Sequence, residues 1–217
     1  MLVKDRMTPQ PLVVVTPETP IIEAQRLMQE HSIRHIPVVT GNHNLVGLLT
    51  RETMLQAIPW SASSLSALET QYVLSKITVS KVMIRDVITL NEDVAVEEAA
   101  RIMVDHKIGC LPVLRSGALV GIITDIDLLS TTMEMLGARE PGVRLSVTVP
   151  NRVGEMARLS AAIAAIGGNL NSVGGWEVKH NLERWGVVLK VSRVSKEQLV
   201  STVSKLAEVE ILDVRAV

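Results

Sequence analysis

The chain has 217 residues, of which 47% are hydrophobic, and its 22 basic and 23 acidic residues leave a net charge of −1. This mixed charge excludes the concentrated basic face of a broad nucleic-acid binder, and three Trp, one Tyr and no Phe leave few rings for stacking on single-stranded bases. Charges interrupt every apolar run before the roughly 18 residues that a membrane span needs.

The N-terminal "MLVKDRMTPQ" lacks an apolar h-region, so no secretory signal is expected. Cys110 is the single cysteine, which rules out an internal disulfide and fits a reducing compartment. We therefore expect a cytoplasmic protein with an aliphatic core.

An internal duplication organises the first 136 residues. "EAQRLMQEHSIRHIPVV" (23–39) aligns without a gap with "EAARIMVDHKIGCLPVL" (98–114). After a turn that is one residue shorter in the second copy, "LVG" at 45–47 matches "LVG" at 119–121. Eight identities in an unbroken block of 17 residues indicate two copies of one structural unit.

Each copy predicts the same succession of elements. The runs "PLVVV" (11–15) and "DVITL" (86–90) predict short strands that lead into a helix. In the first copy Thr16 is expected to cap the helix, with Pro17 at its first position. In the second copy Asn91 is the expected cap, with Glu92 and Asp93 in the first turn.

Two strands and a second helix complete each copy. In the second copy "CLPVL" and "LVGII" are joined by a predicted turn at Ser116-Gly117, and a helix is expected to begin at Thr124. The unit is β-α-β-β-α and, at this size, would be only marginally stable alone. We therefore expect the two units to pack about a pseudo-twofold axis.

The segment between the two copies is predicted to be helical. Between the copies, Leu65, Leu68 and Tyr72 lie at helical spacing, and Ser66 with Glu69 would form a capping box, which predicts a connector helix.

The tail from Val143 predicts βαββαβ, a ferredoxin-like plan within an α/β (α+β) protein. The predicted strands are "RLSVTV", "NLNSVGGWEV", "RWGVVLKV" and "VEILDV". The first helix has one apolar face, formed by Met156, Leu159, Ile163 and Ile166. The last helix is predicted to begin at a capping box formed by Ser195 and Gln198.

These motifs carry three resemblances. The tandem units, with "HSIRHIPVV…LVGLLT" and "HKIGCLPVL…LVGIITDID", resemble a pair of CBS domains, the Bateman module. The tail, with "VTVPNRVGEMARLSAAIAAIGGNL", resembles an ACT domain. The whole order resembles the acetoin-utilisation AcuB group. The boundaries so implied are 1–58 and 81–136 for the CBS units, 59–80 for the connector helix and 143–217 for the ACT domain.

The resemblance implies regulation and no catalysis. CBS pairs commonly bind adenine nucleotides or S-adenosylmethionine in clefts between the two units. ACT domains commonly pair edge to edge and bind a small effector, often an amino acid, at the pairing interface. We therefore expect a homodimer that takes an adenine nucleotide as a regulatory ligand, has no resident cofactor and acts on a target enzyme that the sequence does not name.

The strongest candidate site is Thr124 with Asp127. In nucleotide-binding CBS pairs a Gly-x-x-Thr-x-x-Asp motif supplies the polar contacts, and residues 121–127 match it in full. A carboxylate can accept hydrogen bonds from both ribose hydroxyls, while a hydroxyl and free N–H groups at a helix start suit a phosphate. The first copy has Thr50 but Thr53 in place of the acid. Thr124-x-x-Asp127 also matches a capping box, and that alternative stays open.

Further residues would complete this pocket. Thr89 and the backbone from Ile108 through Leu111 to Pro112 would close it. Arg51, which stands where the second copy has Asp125, and Arg34 would reach a phosphate from the other copy; otherwise both are solvated charges.

In the tail, "PNRVG" departs from the ACT pattern at two positions, because Asn151 replaces an acid and Val153 a proline. Gly154 would allow close backbone approach, and the following helix start would hold a carboxylate. Asn169 and Asn171 would complete the effector site from the paired chain. Ordinary turn and cap chemistry is the alternative for these residues.

Other signals are rejected. His31 and His35 are four apart but are predicted to fall on a helix end and a strand, so no metal site is expected. No P-loop motif occurs, and Cys110 in an apolar strand reads as a small buried hydrophobe. Two alternatives to ligand sensing remain: a ligand-free assembly module that docks on a partner enzyme, and a phosphoryl-transfer enzyme using Asp125 and Asp127 with a divalent ion.

Overall fold

The computed structural model describes residues 1–41, 43–56 and 76–217. The chain divides into two compact units, Met1–Leu128 and Leu129–Val217. Within the described ranges every helix is too short or too polar to serve as a membrane span. Of the predicted connector helix, 59–80, the part up to residue 75 lies outside the described residues, including Leu65, Ser66, Leu68, Glu69 and Tyr72; Val79–Lys81 form a 3-10 turn.

The first unit contains both copies of the repeat. Its elements in chain order are β1 (Thr8–Pro9), α1 (Ile21–Glu30), β2 (His35–Thr40), β3 (Asn44–Thr50), α2 (Arg51–Gln56), β4 (Leu90–Asn91), α3 (Val96–His106), β5 (Cys110–Arg115), β6 (Ala118–Thr124) and α4 (Asp125–Met135), whose C-terminal part belongs to the second unit.

Each copy is built around one antiparallel hairpin, β2–β3 in the first and β5–β6 in the second. His35 pairs with Thr50 in one, and Cys110 pairs with Thr124 in the other. In the second copy Ser116 and Gly117 have φ of 51° and 84°, the left-handed pair that matches strand twist in a two-residue hairpin turn. The predicted turn is confirmed. β4 and β1 flank this hairpin to give the sheet order β1-β6-β5-β4.

The two copies exchange their leading segments. Val3, at the start of the chain, is fully buried in the core of the second copy, and β1 pairs with β6. Val79, which precedes the second copy, is fully buried in the core of the first. Ile84 forms an antiparallel bridge with Leu48 of β3, which is the equivalent in the first copy of the pairing of β1 with β6. Each copy is therefore completed by residues that precede the other copy in sequence.

Both predicted helix starts are wrong by several residues. α1 begins at Ile21 after Pro20, and α3 begins at Val96 after Ala95. In the first copy Thr16 accepts from the N–H of Thr19 at 3.1 Å and so forms a turn.

In the second copy the side chain of Asn91 accepts from the N–H of Asp93 at 3.0 Å, which is an Asx turn. Thr and Asn can either cap a helix or stabilise a turn, and in each copy this residue forms a turn that precedes the helix. The two preceding strands are also shorter than predicted, because only Val15 makes a bridge in the first copy and only Leu90–Asn91 pair in the second.

The second unit has the predicted βαββαβ succession. Its elements are β7 (Val143–Pro150), α5 (Glu155–Ala165), β8 (Asn169–Glu177), β9 (Arg184–Ser192), α6 (Lys196–Val203) and β10 (Glu210–Ala216). The antiparallel sheet has the order β10-β7-β9-β8, so β8 is an edge strand.

Aliphatic residues of the sheet pack against α5 and α6 in this unit. Leu159 and Ile163 of α5 are buried in that core, whereas Met156, predicted on the same face, is 38% exposed. At the start of α6 the predicted capping box is confirmed. Ser195 accepts from the N–H of Gln198 at 3.2 Å, and the Gln198 side chain accepts from the N–H of Ser195 at 2.9 Å.

Candidate functional site

The start of α4 is held by a reciprocal cap between Thr124 and Asp127. β6 runs into α4 without an intervening loop. Oδ2 of Asp127 accepts from the Thr124 N–H at 2.8 Å and from its hydroxyl at 2.7 Å. The Asp127 N–H lies 3.4 Å from the Thr124 hydroxyl oxygen. The capping alternative for this pair is therefore observed.

The first copy makes the same cap without an acid. The Thr53 hydroxyl accepts from the Thr50 N–H at 3.1 Å, and the Thr50 hydroxyl accepts from the Thr53 N–H at 3.1 Å. A hydroxyl therefore performs at the start of α2 the capping role that a carboxylate performs at the start of α4. Capping alone does not require the carboxylate of Asp127.

Thr124 and Asp127 line a cleft of about 410 Å³ between the copies, which we call the Asp127 cleft. The other wall comes from the first copy, from its extended segment around Leu12 and from the segment between α1 and β2 that includes Ile33 and Arg34. The cleft thus combines aliphatic side chains with one carboxylate, one guanidinium, two imidazoles and several hydroxyls. Ligand pockets commonly have this size.

A second cleft, of about 570 Å³, is the pseudo-twofold equivalent; we call it the Thr53 cleft. It takes Thr50 and Thr53 from the first copy, and Ile108 with the segment around Val87 from the second. Its charged lining residues are Arg34, Arg51, Glu52, Asp86 and Lys107. The two clefts are therefore equivalent in construction and different in chemistry.

The structure brings together only part of the predicted pocket. Arg34 lines the Asp127 cleft with Thr124 and Asp127, whereas Ile108 and Arg51 line the Thr53 cleft.

The other predicted lining residues are placed elsewhere. Leu111 is fully buried in the core of the second copy, Pro112 is buried in β5, and Thr89 lies half-buried before β4 without lining the Asp127 cleft. The prediction placed 108–112 beside the helix start of the same copy; in the fold each helix start instead faces the corresponding segment of the other copy.

The helix start offers no free donors, which corrects the expectation of unpaired N–H groups for a phosphate. The N–H groups of Thr124 and Asp127 are used in the cap. The Asp125 N–H donates to the Gly109 carbonyl at 3.0 Å, and the Ile126 N–H donates to Oδ1 of Asp125 at 2.9 Å.

Asp125 also forms an ion pair across the copies. Nη2 of Arg34 lies 2.9 Å from Oδ1 of Asp125, the same oxygen that accepts from Ile126. Both side chains are about half exposed, at 51% and 49%. The equivalent positions of the other copy hold Gly109 and Arg51, so this pair has no counterpart at the Thr53 cleft.

His35 lies between the clefts and lines both. Burial, and then the Arg34 charge, lower the pKa of His35, while Asp125 opposes this. Burial raises the pKa of the neighbouring Cys110 thiol to about 12. Cys110 is 3% exposed, so the prediction of a small buried hydrophobe is confirmed.

Sequence reasoning missed the contribution of Leu12, Ile33 and His35 to the Asp127 cleft. The duplication contained the signal. The block 33–37 matches the block 108–112 that was assigned to this pocket, and exchanging the copies would have given this part of the observed lining.

The second unit has a separate cavity of about 400 Å³ at the start of α5, lined by Asn151, Gly154, Met156 and Trp185 among others. Gly154 has a φ of 91° and precedes the helix. The Asn151 amide donates to the Leu182 carbonyl at 3.1 Å, which is ordinary turn chemistry.

A buried carboxylate of the chain itself lies in the first turn of α5 and lines this cavity. Glu155, in the first turn, is 6% exposed and pairs with Arg152 and Arg158, which hold its pKa below the ordinary value.

Asn169 and Asn171 lie at the far end of this sheet. Asn169 pairs with Ser192, whereas Asn151 follows Pro150, which pairs with Arg184 at the opposite end of β9. Asn169 donates to Asn171 at 3.0 Å. Within one chain these residues do not share a site with Asn151 and Gly154.

Among the described residues no group of three or more His, Cys, Asp or Glu side chains could hold a metal ion. His31 ends α1 and His35 begins β2, as predicted.

The paired hairpins and the two equivalent clefts define a tandem CBS module. The CBS domain family model matches residues 3–59 and 79–134, and the chain belongs to this family. It is similar to the CBS domain-containing protein YhcV of Bacillus subtilis, at 33% identity over 60% of this chain and 85% of the relative.

Solved structures agree with this assignment. A candidate acetoin utilization protein (AcuB) from Vibrio cholerae superposes with a TM-score of 0.53, at 31% identity over 64% of this chain and 96% of that one. CBSX2, solved with AMP, gives a TM-score of 0.53 at 28% identity over 61% of this chain and 96% of that one.

The CBS pair of MJ0100, solved with 5′-methylthioadenosine and S-adenosyl-L-methionine, gives a TM-score of 0.52 at 28% identity over 64% of this chain and 98% of that one.

The chain also matches enzymes in part. It is 33% identical to the inosine-5′-monophosphate dehydrogenase of Korarchaeum cryptofilum over 63% of this chain but only 25% of the enzyme. The matches are to CBS-pair regulatory modules and not to catalytic domains.

Proposed function

We propose that this chain is a regulatory ligand sensor whose Asp127 cleft binds an adenine nucleotide or S-adenosylmethionine. One observation carries the proposal. The cap at α2 is complete with Thr53 alone, so the fold does not demand the acid of Asp127 at the equivalent position.

The chemistry of the Asp127 cleft suits an adenosine. The Asp127 carboxylate lines the cleft, and an ionised carboxylate accepts hydrogen bonds through both of its oxygens. A ribose diol would donate to this carboxylate, and the adenine ring would lie between the aliphatic side chains of the cleft. Relatives of about 28% identity solved with AMP and with S-adenosyl-L-methionine support this ligand class.

The test is a thermal-shift panel of AMP, ADP, ATP and S-adenosylmethionine on the wild type and on Asp127→Thr, which copies the cap of the first unit. At about 100 times Kd a ligand adds roughly 2.7 kcal/mol of stability, or a rise of several degrees. We expect a rise in the wild type that disappears in Asp127→Thr. An equal rise in both proteins, or none in either, would contradict the proposal.

We also propose that residues 143–217 form an ACT domain that makes the protein a homodimer. β8 is nine residues long, and among the described strands it pairs only with β9. Before Glu177 the strand has no charge or proline, the features that usually protect an exposed edge. Two β8 strands paired antiparallel would join the sheets of two protomers.

Such pairing would bring Asn169 and Asn171 of one chain to the Glu177 end of the other, nearer to its Asn151 and Gly154. An amino-acid-like effector would bind there, against Met156 and Trp185. Light scattering of the wild type and of Val173→Lys, which places a charge at the centre of β8, tests the pairing. We expect the wild type to be a dimer and Val173→Lys to be a monomer. If both are dimers, the interface does not involve β8.

The alternative, a ligand-free assembly module docking on a partner enzyme, is favoured by the same edge strand. It requires dimerisation with no thermal shift from any adenosine ligand. The proposed setting is the cytoplasm, where a single thiol fits a reducing compartment.

A further inference from the structure

The structure assigns to Asp125 the role of an internal competitor for ligand phosphate. We propose that Arg34 binds a phosphate in the Asp127 cleft only by leaving Asp125, so that this pair sets how strongly the cleft distinguishes phosphorylated from unphosphorylated adenosine ligands. This inference rests on the proposed function and deepens it.

The geometry supports the competition directly. Oδ1 of Asp125 accepts from the Arg34 guanidinium and from the Ile126 N–H, both at 2.9 Å. A guanidinium and a helix-start N–H are the donors that anions use in proteins. The other three N–H groups from Thr124 to Asp127 already have acceptors in the cap or at Gly109. A carboxylate of the chain therefore already holds the guanidinium that lines the cleft and that a phosphate would use.

The arrangement is displaceable. Both partners are about half exposed, and solvent-exposed ion pairs contribute little net free energy. A ligand phosphate would replace one charge-assisted bond of Arg34 by another of similar strength. The net gain from the phosphate is then small in the wild type.

The ion pair occurs in only one of the two pseudo-twofold positions, although Arg34 itself lines both clefts. The Thr53 cleft has Arg51 in place of Asp125 and Gly109 in place of Arg34. The duplication has kept the surrounding segments and changed both members of the pair. A general role in packing the two copies would apply equally to both clefts and does not explain this asymmetry.

The test compares dissociation constants of adenosine and AMP by calorimetry in the full chain. In the wild type we expect the two to agree within about threefold, because the phosphate must displace Asp125. In Asp125→Asn we expect AMP to bind about two- to fivefold more tightly and adenosine to be unchanged. The amide oxygen of Asn can still accept from Ile126, so the helix start is preserved. S-adenosylmethionine, which has no phosphate, should follow adenosine.

The double variant Arg34→Gln/Asp125→Asn completes the cycle. The gain in AMP affinity should disappear, because the released guanidinium is absent. Glu98→Gln, which alters the Arg101 pair on α3 and changes the net charge equally, is the control and should leave both constants unchanged.

Two outcomes would overturn the inference while adenosine binding persists. In one, Asp125→Asn changes adenosine and AMP equally or weakens AMP. In the other, the tighter AMP binding survives in the double variant. If the wild type binds neither adenosine nor AMP, the proposed function fails and the competitor role fails with it.

Discussion

The hydroxyl of Thr124 donates to Oδ2 of Asp127 at 2.7 Å, and the equivalent pair in the first copy, Thr50 and Thr53, closes the same helix cap with two hydroxyls. The molecule therefore contains its own control for the carboxylate. Replacing the acid by threonine reproduces a cap that this fold already uses.

The first prediction separates capping from ligand binding. Asp127→Ala should lower the free energy of unfolding by about 1 kcal/mol, as for other lost caps, whereas Asp127→Thr should stay within about 0.5 kcal/mol of the wild type. Urea unfolding of the ligand-free proteins measures both. Equal losses in the two variants would show that the carboxylate itself is needed for stability.

The second prediction concerns the exchanged N-terminal segment. A Cβ on Gly121 would lie 2.9 Å from the Thr8 carbonyl oxygen and closer still to Sδ of Met7. Gly121→Ala should therefore cost about 1–3 kcal/mol by overpacking and should weaken the pairing of β1 with β6.

Trypsin cleavage after Lys4 and Arg6 should then become faster than in the wild type, because a less firmly paired segment opens more often. Gly47→Ala, which meets Met83 and the Ile84 carbonyl in the same way, should be destabilising without that change in cleavage. Unchanged cleavage in Gly121→Ala would argue against the exchange.

The third prediction concerns pH. Because burial and Arg34 lower the pKa of His35 in the folded state, the unfolded chain binds the proton more readily. The His35 contribution to stability is then fully present above the ordinary histidine pKa of about 6.5 and is lost as pH falls below it.

Unfolding midpoints at several pH values from 8 down to about 5 should thus fall more steeply for the wild type than for His35→Gln. Parallel curves would show that His35 is not the group responsible.

The fourth prediction concerns Cys110. With its thiol buried and its pKa raised to about 12, almost no thiolate exists at neutral pH. A thiol reagent at pH 7.5 should label the native protein only at the rate of unfolding, and quickly in denaturant. Fast labelling of the native chain would mean that the region between the clefts opens readily.

Much of the fold follows from the sequence. The duplicated block predicts that the hairpins β2–β3 and β5–β6 are equivalent. The turn at Ser116-Gly117 and the capping box of Ser195 and Gln198 form as their local chemistry predicts. These features depend on residues near one another in the chain, which a single sequence displays directly.

The errors have a common physical cause. The starts of α1 and α3 were placed too early because Thr16 and Asn91 can serve a turn as well as a helix, and tertiary contacts decide between them. Ile108 was assigned to the wrong cleft because the exchange of segments between copies is a long-range feature. The packing of Val3 and Val79 in the opposite cores and the pairing of β1 with β6 show this exchange in the fold.

The most direct test of the central claim is calorimetric binding of AMP and 2′-deoxy-AMP to the wild type and to Asp127→Thr. If the Asp127 carboxylate binds the ribose diol, the wild type should prefer AMP by about tenfold or more, since a hydrogen bond to a charged group contributes about 1.5–3 kcal/mol. Asp127→Thr should bind the two ligands alike and weakly. Equal binding of both nucleotides by the wild type, or a preference for AMP that survives in Asp127→Thr, would contradict the account.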